Sequence, residues 1–188
     1  MFSVSLEGAD SRAPWRGRTN TYRVGWRERC SLMGIMPVPF PHQYSATISR
    51  TFASRARVEA PPRPPLQGGP SCQFDGDATA WSPEHLVLSS LGLCMLTTFE
   101  AFCSRDGIEL LDWNASLKGS VERSPEGLIF SSIVLCIDME VGGNVDVVET
   151  TLEDAKRYCL ILNSLSVPVV VETTIRTPGN AGAGQIAA

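Results

Sequence analysis

An α+β domain is predicted for this 188-residue chain by three features. Two apolar helix-forming stretches lie near residues 82–105 and 147–165, strand-like alternation occurs before, between and after them, and a turn signal, Ser124-Pro125-Glu126-Gly127, joins the two middle strands. The order strands, helix, strands, helix, strand suits two long helices packed on a curved antiparallel sheet. The length sets one domain with tails, and a hydrophobic content of 43% is enough for a core. The sequence divides into an N-terminal extension over 1–35, a domain over 36–177 and a flexible tail over 178–188.

Residues 1–35 stand apart. Their charge comes from six arginines (Arg12, Arg16, Arg18, Arg23, Arg27, Arg29) against Glu7, Asp10 and Glu28, and no apolar period runs through them. They read as disordered or loosely packed, either ahead of a native start at Met36 or as an organelle-targeting extension, which Glu7 and Asp10 count against. Tyr44, Ala46, Ile48 and Val58 mark strands within 43–59. Ala60-Pro61-Pro62-Arg63-Pro64-Pro65-Leu66-Gln67-Gly68-Gly69-Pro70 follows as an extended, stiff loop, because prolines remove ladder donors and fix the backbone. The first helix has clear boundaries: Ser82 as N-cap, Pro83 at the first helical position, Glu84 complementing the dipole and Gly107 as terminator. Leu86, Val87, Leu88, Leu91, Leu93, Met95, Leu96, Phe99 and Phe102 leave it little polar face, so it belongs in a core or an interface.

Strands follow near Asn114–Glu122 and Leu128–Val141. In the second, Ile133, Leu135, Ile137 and Met139 line one face, and Val134, Cys136, Asp138 and Glu140 the other. In the second helix Val148, Leu152, Ala155, Cys159 and Leu162 form one inward stripe. Pro168 opens a last strand, Val169–Arg176, and a Gly/Ala-rich tail begins at Pro178.

Composition excludes several classes. A net charge of −4 gives no electrostatic reason to expect nucleic acid. The best membrane candidate, Leu86–Phe102, is interrupted by Ser89, Ser90, Thr97, Thr98 and Glu100 and reads as a buried helix, so no membrane association is expected. Six cysteines in a chain this long do not make a disulfide scaffold, and no C-x-x-C pair occurs. With His42 and His85 as the only histidines, a zinc site is not expected, and no other cofactor is called for. No secretory h-region is visible, which points to the reducing cytoplasm, where cysteines stay free unless they do redox work.

Cys94 and Cys159 are carried on the two helices, 65 residues apart, so two rigid core elements can bring them together. That suits a thiol–disulfide reaction in which one sulfur attacks and the other resolves; buried cysteine as simple packing is the alternative. Glu84 lies ten residues before Cys94, about 15 Å along a straight helix, so a third element must bridge them if both serve one site. Arginine is the natural bridge, since it pairs with carboxylates and favours thiolates; Arg50, Arg55 and Arg57 are the candidates. Glu84 alternatively only complements the dipole, and His85 is a first-turn residue. Cys103 faces away from Cys94 and reads as packing; Cys30, Cys72 and Cys136 receive no role.

Trp81-Ser82-Pro83-Glu84-His85-Leu86, then Cys94, then Ala155-Lys156-Arg157-Tyr158-Cys159-Leu160 resembles the OsmC/Ohr family of osmotically inducible and organic hydroperoxide resistance proteins, over about residues 43–176. The resemblance implies an intertwined homodimer of α+β subunits with two central helices and active sites at the subunit interface. It implies Cys94 as peroxidatic cysteine, Cys159 as resolving cysteine and Glu84 as the carboxylate holding a catalytic arginine. The sequence departs at that arginine. The OsmC-branch stretch reads Gln73-Phe74-Asp75-Gly76, with Gln73 in the arginine's place, and in the Ohr branch Arg55 is the nearest match, Arg57 the next.

The expected activity is thiol-dependent reduction of organic hydroperoxides or hydrogen peroxide, with the cysteine pair regenerated by an external dithiol. The resemblance suggests a lipoylated protein as that reductant. A non-catalytic dimer binding a small apolar or electrophilic ligand, and a redox sensor, are the alternatives.

Overall fold

The computed structural model describes residues 40–178 and 185–186. The expectation for residues 1–35 lies outside them, as does the flexible tail save for Pro178 and Gln185–Ile186. The chain divides into residues 1–43, of which 40–43 are described and hold no regular element, and residues 44–188, which carry the fold.

Strands β1 (Thr47–Arg50), β2 (Ala56–Glu59) and β3 (Leu66–Gly68) form a small antiparallel sheet in that order. β3 corrects the reading of 60–70 as loop throughout: its three residues carry no proline, and as an edge strand it needs only one ladder partner, β2. A single 3-10 turn, Cys72–Phe74, leads towards helix α1 (Pro83–Asp106). The amide of Trp81 donates to Gln67 O (2.9 Å) and that of Gly69 to Trp81 O (3.0 Å), which ties β3 to the start of α1.

α1 begins and ends where its cap residues require. The Ser82 hydroxyl accepts from the His85 amide (3.3 Å), satisfying one orphan N–H of the first turn. Gly107 takes φ 70°, and its N–H donates to Cys103 O. Leu91, Met95, Phe99 and Cys103, four residues apart, form the buried ridge. Full burial of Leu91 and Phe99 contributes about 2 kcal/mol each. The opposite side is mixed, with half-buried Leu86 and Leu96 and exposed Ser89, Thr97 and Glu100 around Leu93, which is 63% accessible. By length and apolarity α1 is also the one helix among the described residues able to cross a bilayer, a test that core helices pass too.

Strands β4 (Glu109–Ser124) and β5 (Gly127–Gly142) make a long hairpin. β4 starts before the expected Asn114. An extra residue at Leu111, a β-bulge between Leu110 and Asp112, shifts the alternation there and hides the early strand from a period-two reading. A second register shift falls between Ser120 and Val121. Ile133, Leu135, Ile137, Met139 and Val141 of β5 are buried, on the face the alternation predicts.

The second helical region is not continuous. Helix α2 (Val145–Tyr158) stops, Cys159 takes φ −65° and ψ 110°, and a short helix α3 (Leu160–Ser164) follows. β6 (Val169–Arg176) then pairs in parallel with β5, and Gln185–Ile186 (β7) pairs antiparallel with β6. The expected all-antiparallel sheet is therefore mixed, in the order β4-β5-β6-β7. The crossover through α2 and α3 is long enough to return the chain in the same direction as β5. Val148, Leu152 and Ala155 of α2 join the α1 ridge, β5, Val171 and Ile175 in one core.

Candidate functional site

Cys94 sits mid-helix in α1, half-buried, and Cys159 is fully buried at the α2–α3 break. The two helical regions pack together, the Ile161 amide two residues after Cys159 lies 3.5 Å from Cys94 Sγ, and the two sulfurs are close enough to perturb one another. Burial above all, with Cys94 beside it, pushes the Cys159 thiol up to about 11, while the amides of Leu162 and Ile161 pull the other way. Burial thus favours Cys159 as a neutral thiol. Both sulfurs are reduced, and exposed Leu93 and Leu160 stand beside them in sequence, each 63% accessible.

The break at Cys159 also serves Cys94 directly. In an unbroken helix the Ile161 amide would donate to Arg157 O. Here it donates to Cys94 Sγ (3.5 Å). The Asn163 side chain takes the abandoned carbonyl, its Nδ2 donating to Arg157 O (2.8 Å) and to Cys159 O (2.9 Å). Side chains that bond nearby carbonyls compete with helix continuation, which gives the break a physical cause in a stretch without proline or glycine.

Glu84 is not with the thiols in this chain. It lines an open cavity of about 430 Å³ together with Gln73, Phe74, His85, Leu88, Arg123 and Phe130, among others. Glu84 Oε2 is buried and has no hydrogen-bond partner among the described residues. His85 Nδ1 lies 2.7 Å from the capping Ser82 Oγ. An orphaned buried carboxylate oxygen is costly and calls for a donor.

Nor does Arg55 meet Glu84. Its guanidinium is ion-paired with Asp77 and donates to Gln67 Oε1 (3.1 Å) and Thr79 Oγ1 (3.3 Å), beside a separate cavity. The Thr79 hydroxyl and amide both donate to Asp77 Oδ1 (2.7 Å each) and, with Arg55, hold the Asp77 carboxyl down at about 2. Arg57 pairs with Glu59 (2.8 Å). The structure thus brings together the two cysteines of the predicted set, and separates Glu84 and Arg55 from them and from each other.

The remaining described cysteines are elsewhere. Cys103 is packed in the core, and burial, then Asp106 and Glu100, push its thiol up to about 11. Cys136 lies on the sheet face opposite the helices and donates to Glu172 (3.4 Å), which raises it. Cys72 is exposed in the 3-10 turn, and Cys30 lies outside the described residues. No three histidine, cysteine or carboxylate side chains converge on a metal position among the described residues.

Sequence reasoning missed Ile161, Asn163 and Arg123. A backbone amide leaves no mark in sequence. Asn163, a helix-competing residue four positions after Cys159, was the available signal for the break.

Comparison with known proteins agrees with this architecture. The family model for OsmC-like protein matches residues 75–174. An OsmC-like protein of unknown function from Vibrio cholerae superposes with a TM-score of 0.65 at 15% identity, covering 72% of this chain and 99% of its own. An OsmC-like protein from Mycoplasma pneumoniae gives 0.65 at 16%, covering 73% and 99%. An organic hydroperoxide resistance protein OsmC from Legionella pneumophila gives 0.58 at 19%, covering 72% and 99%. No curated protein matches the chain.

Proposed function

We propose that this chain, which belongs to the OsmC-like family, reduces organic hydroperoxides through Cys94 and Cys159. The observation that carries the reading is the meeting of the two reduced thiols, one half-buried and one buried as a neutral thiol. The Cys94 thiolate attacks the distal peroxide oxygen; an S–O bond forms, the O–O bond breaks, and the alcohol leaves after taking up a proton. Cys159 sulfur then attacks the Cys94 sulfenic acid. Its proton leaves with the hydroxyl as water, and a Cys94–Cys159 disulfide remains. An external dithiol, a lipoylated protein by family resemblance, restores both thiols by exchange. The reading fits a reducing compartment such as the cytoplasm.

A homodimer completes this proposal. Exposed Leu93, with half-buried Leu86 and Leu96 on the same side of α1, gives it an apolar contact to bury. Two α1 helices crossing antiparallel near Ser89 set Glu84 of one subunit beside the partner subunit's Cys94, because Ser89 lies midway between the two positions. Glu84 then orients a guanidinium at the thiolate. Arg123, which lines the Glu84 cavity, supports that role better than Arg55, which is already clasped by Asp77.

The test is intact mass and peptide mapping after a brief stoichiometric pulse of an alkyl hydroperoxide. Rapid loss of two hydrogens, mapped to a dithiol-reversible Cys94–Cys159 bridge and absent in Cys94→Ser, is the expected result. Slow oxidation scattered over several cysteines overturns it. The Glu84 cavity, with its orphaned carboxylate oxygen and aromatic walls, favours a second reading as a binder of small ligands, which the scattered outcome would bring forward.

A further inference from the structure

The broken helix has a role that packing alone does not require. α2 stops at Tyr158 with no proline or glycine, and after the single residue Cys159 the chain is helical again. A break of this kind ordinarily leaves carbonyls and amides without partners. Here two carbonyls and two amides at the break have definite partners. The Arg157 carbonyl accepts from Asn163 Nδ2 (2.8 Å), which also donates to Cys159 O (2.9 Å). The Asn163 amide keeps its helical bond to Cys159 O (3.0 Å). The Ile161 amide, displaced from Arg157 O, donates to Cys94 Sγ on the neighbouring helix (3.5 Å) while also bearing on the Cys159 sulfur.

We propose that the break is a built hydrogen-bond donor for the Cys94 sulfur, in which Asn163 occupies the Arg157 carbonyl so that the Ile161 N–H is released to the thiolate. An N–H aimed at an anion favours the charged form, and such bonds are stronger than neutral ones. Asn163 touches neither sulfur; it is a positioning residue that acts through the backbone. The interest of the device rests on Cys94 being the reacting thiol, but its existence does not. The same amide serves the sulfur whether the electrophile is a peroxide or another soft reagent.

The experiment uses the full-length protein, reduced, as wild type, Asn163→Ala and Ser164→Ala. Asn163 is exposed, so its truncation leaves no cavity. Ser164 donates to Leu160 O (2.8 Å) within the same short helix but holds neither carbonyl of the break, so it controls for simple loss of an α3 hydrogen bond. The Ile161 amide resonance is followed by nuclear magnetic resonance as Cys94 ionises, with a Cys94→Ser protein marking what does not come from that sulfur. The rate of Cys94 alkylation by iodoacetamide is measured in parallel. The expected result is an Ile161 resonance that moves with Cys94 ionisation in wild type and Ser164→Ala and is blunted in Asn163→Ala. Alkylation of Asn163→Ala should be slower by roughly three- to tenfold.

An Ile161 amide indifferent to Cys94 ionisation in wild type overturns the proposal, as does an Asn163→Ala protein that matches wild type in both readouts. If Asn163→Ala does not fold, the wild-type Ile161 response decides alone. Because no peroxide enters these measurements, a protein inert to hydroperoxide with an intact Ile161 response would sink the peroxidase reading and leave this one standing.

Discussion

Among single residues, Asp77 and Arg55 show how a side chain chosen for one duty is held in another. Arg55 has its donors on Asp77, Gln67 and Thr79, while Arg123 lines the cavity that contains the orphaned Glu84 oxygen. Arg123→Ala should therefore lower hydroperoxide turnover by at least about tenfold, with Arg55→Ala having the smaller effect, in steady-state assays with a dithiol reductant. The reverse order would return Arg55 to the thiol. The Asp77 clasp has its own signature. Its carboxyl titrates at about 2 in the fold against 3.8 ordinarily, so the stabilisation is complete above about 4 and is lost as pH falls through 2. The Thr79 amide, which donates to Asp77, should lose its hydrogen-exchange protection in that window and not above it. At this scale the sequence was a partial guide. Cys94 and Cys159 could be paired because each stands in a recognisable helical stretch, whereas the arginine could not be chosen, since partner selection among Arg50, Arg55, Arg57 and Arg123 depends on distant segments that meet only in the fold.

Elements were legible where their signals are local. Ser82, Pro83 and Gly107 delimit α1 because caps act within one turn, and the alternation of β5 names its buried face outright. The Leu111 bulge, the parallel β5–β6 pair and the break at Cys159 were not legible. The first disguises the period, the second reads like any apolar strand, and the third depends on Asn163 and on a sulfur from another helix. Glycines carry a test at this level. A Cβ on Gly76 would lie 1.8 Å from Pro70 O, a backbone atom that no rotamer change can move, whereas one on Gly92 meets the end of the Leu117 side chain at 2.9 Å. Gly76→Ala should cost about 1–3 kcal/mol in thermal or urea unfolding, and Gly92→Ala less, as Leu117 gives way. Equal losses would mean that the loop over 70–76 yields as easily as a leucine side chain.

For the molecule as a whole, two buried thiols set its behaviour in alkali. Cys103 and Cys159 both titrate at about 11 in the fold against 9.0 ordinarily, because burial penalises the thiolate. The unfolded chain therefore loses these protons first. Their contribution is whole below pH 9 and disappears as pH rises through 11, so the melting temperature should fall across that interval, and fall less in Cys103→Ala measured against its own neutral value. The exposed side of α1 bears on assembly. Leu93→Glu should convert the proposed dimer to monomers in sedimentation velocity while the isolated domain keeps its helical signal. Unchanged sedimentation would move the interface elsewhere.

The parallel pairing of β5 with β6 also imposes an order in time. The β4–β5 hairpin closes through neighbours along the chain, a short loop with little entropy to lose, and it can form as soon as Gly142 is made. β6 cannot dock until the whole crossover between Gly142 and Val169 exists, and Cys159 lies on that crossover. A chain emerging from the ribosome thus carries Cys94 on a finished helix well before its partner sulfur arrives. The two thiols therefore meet late in assembly, and a truncated chain ending before β6 is expected to keep the hairpin and lose the thiol pairing.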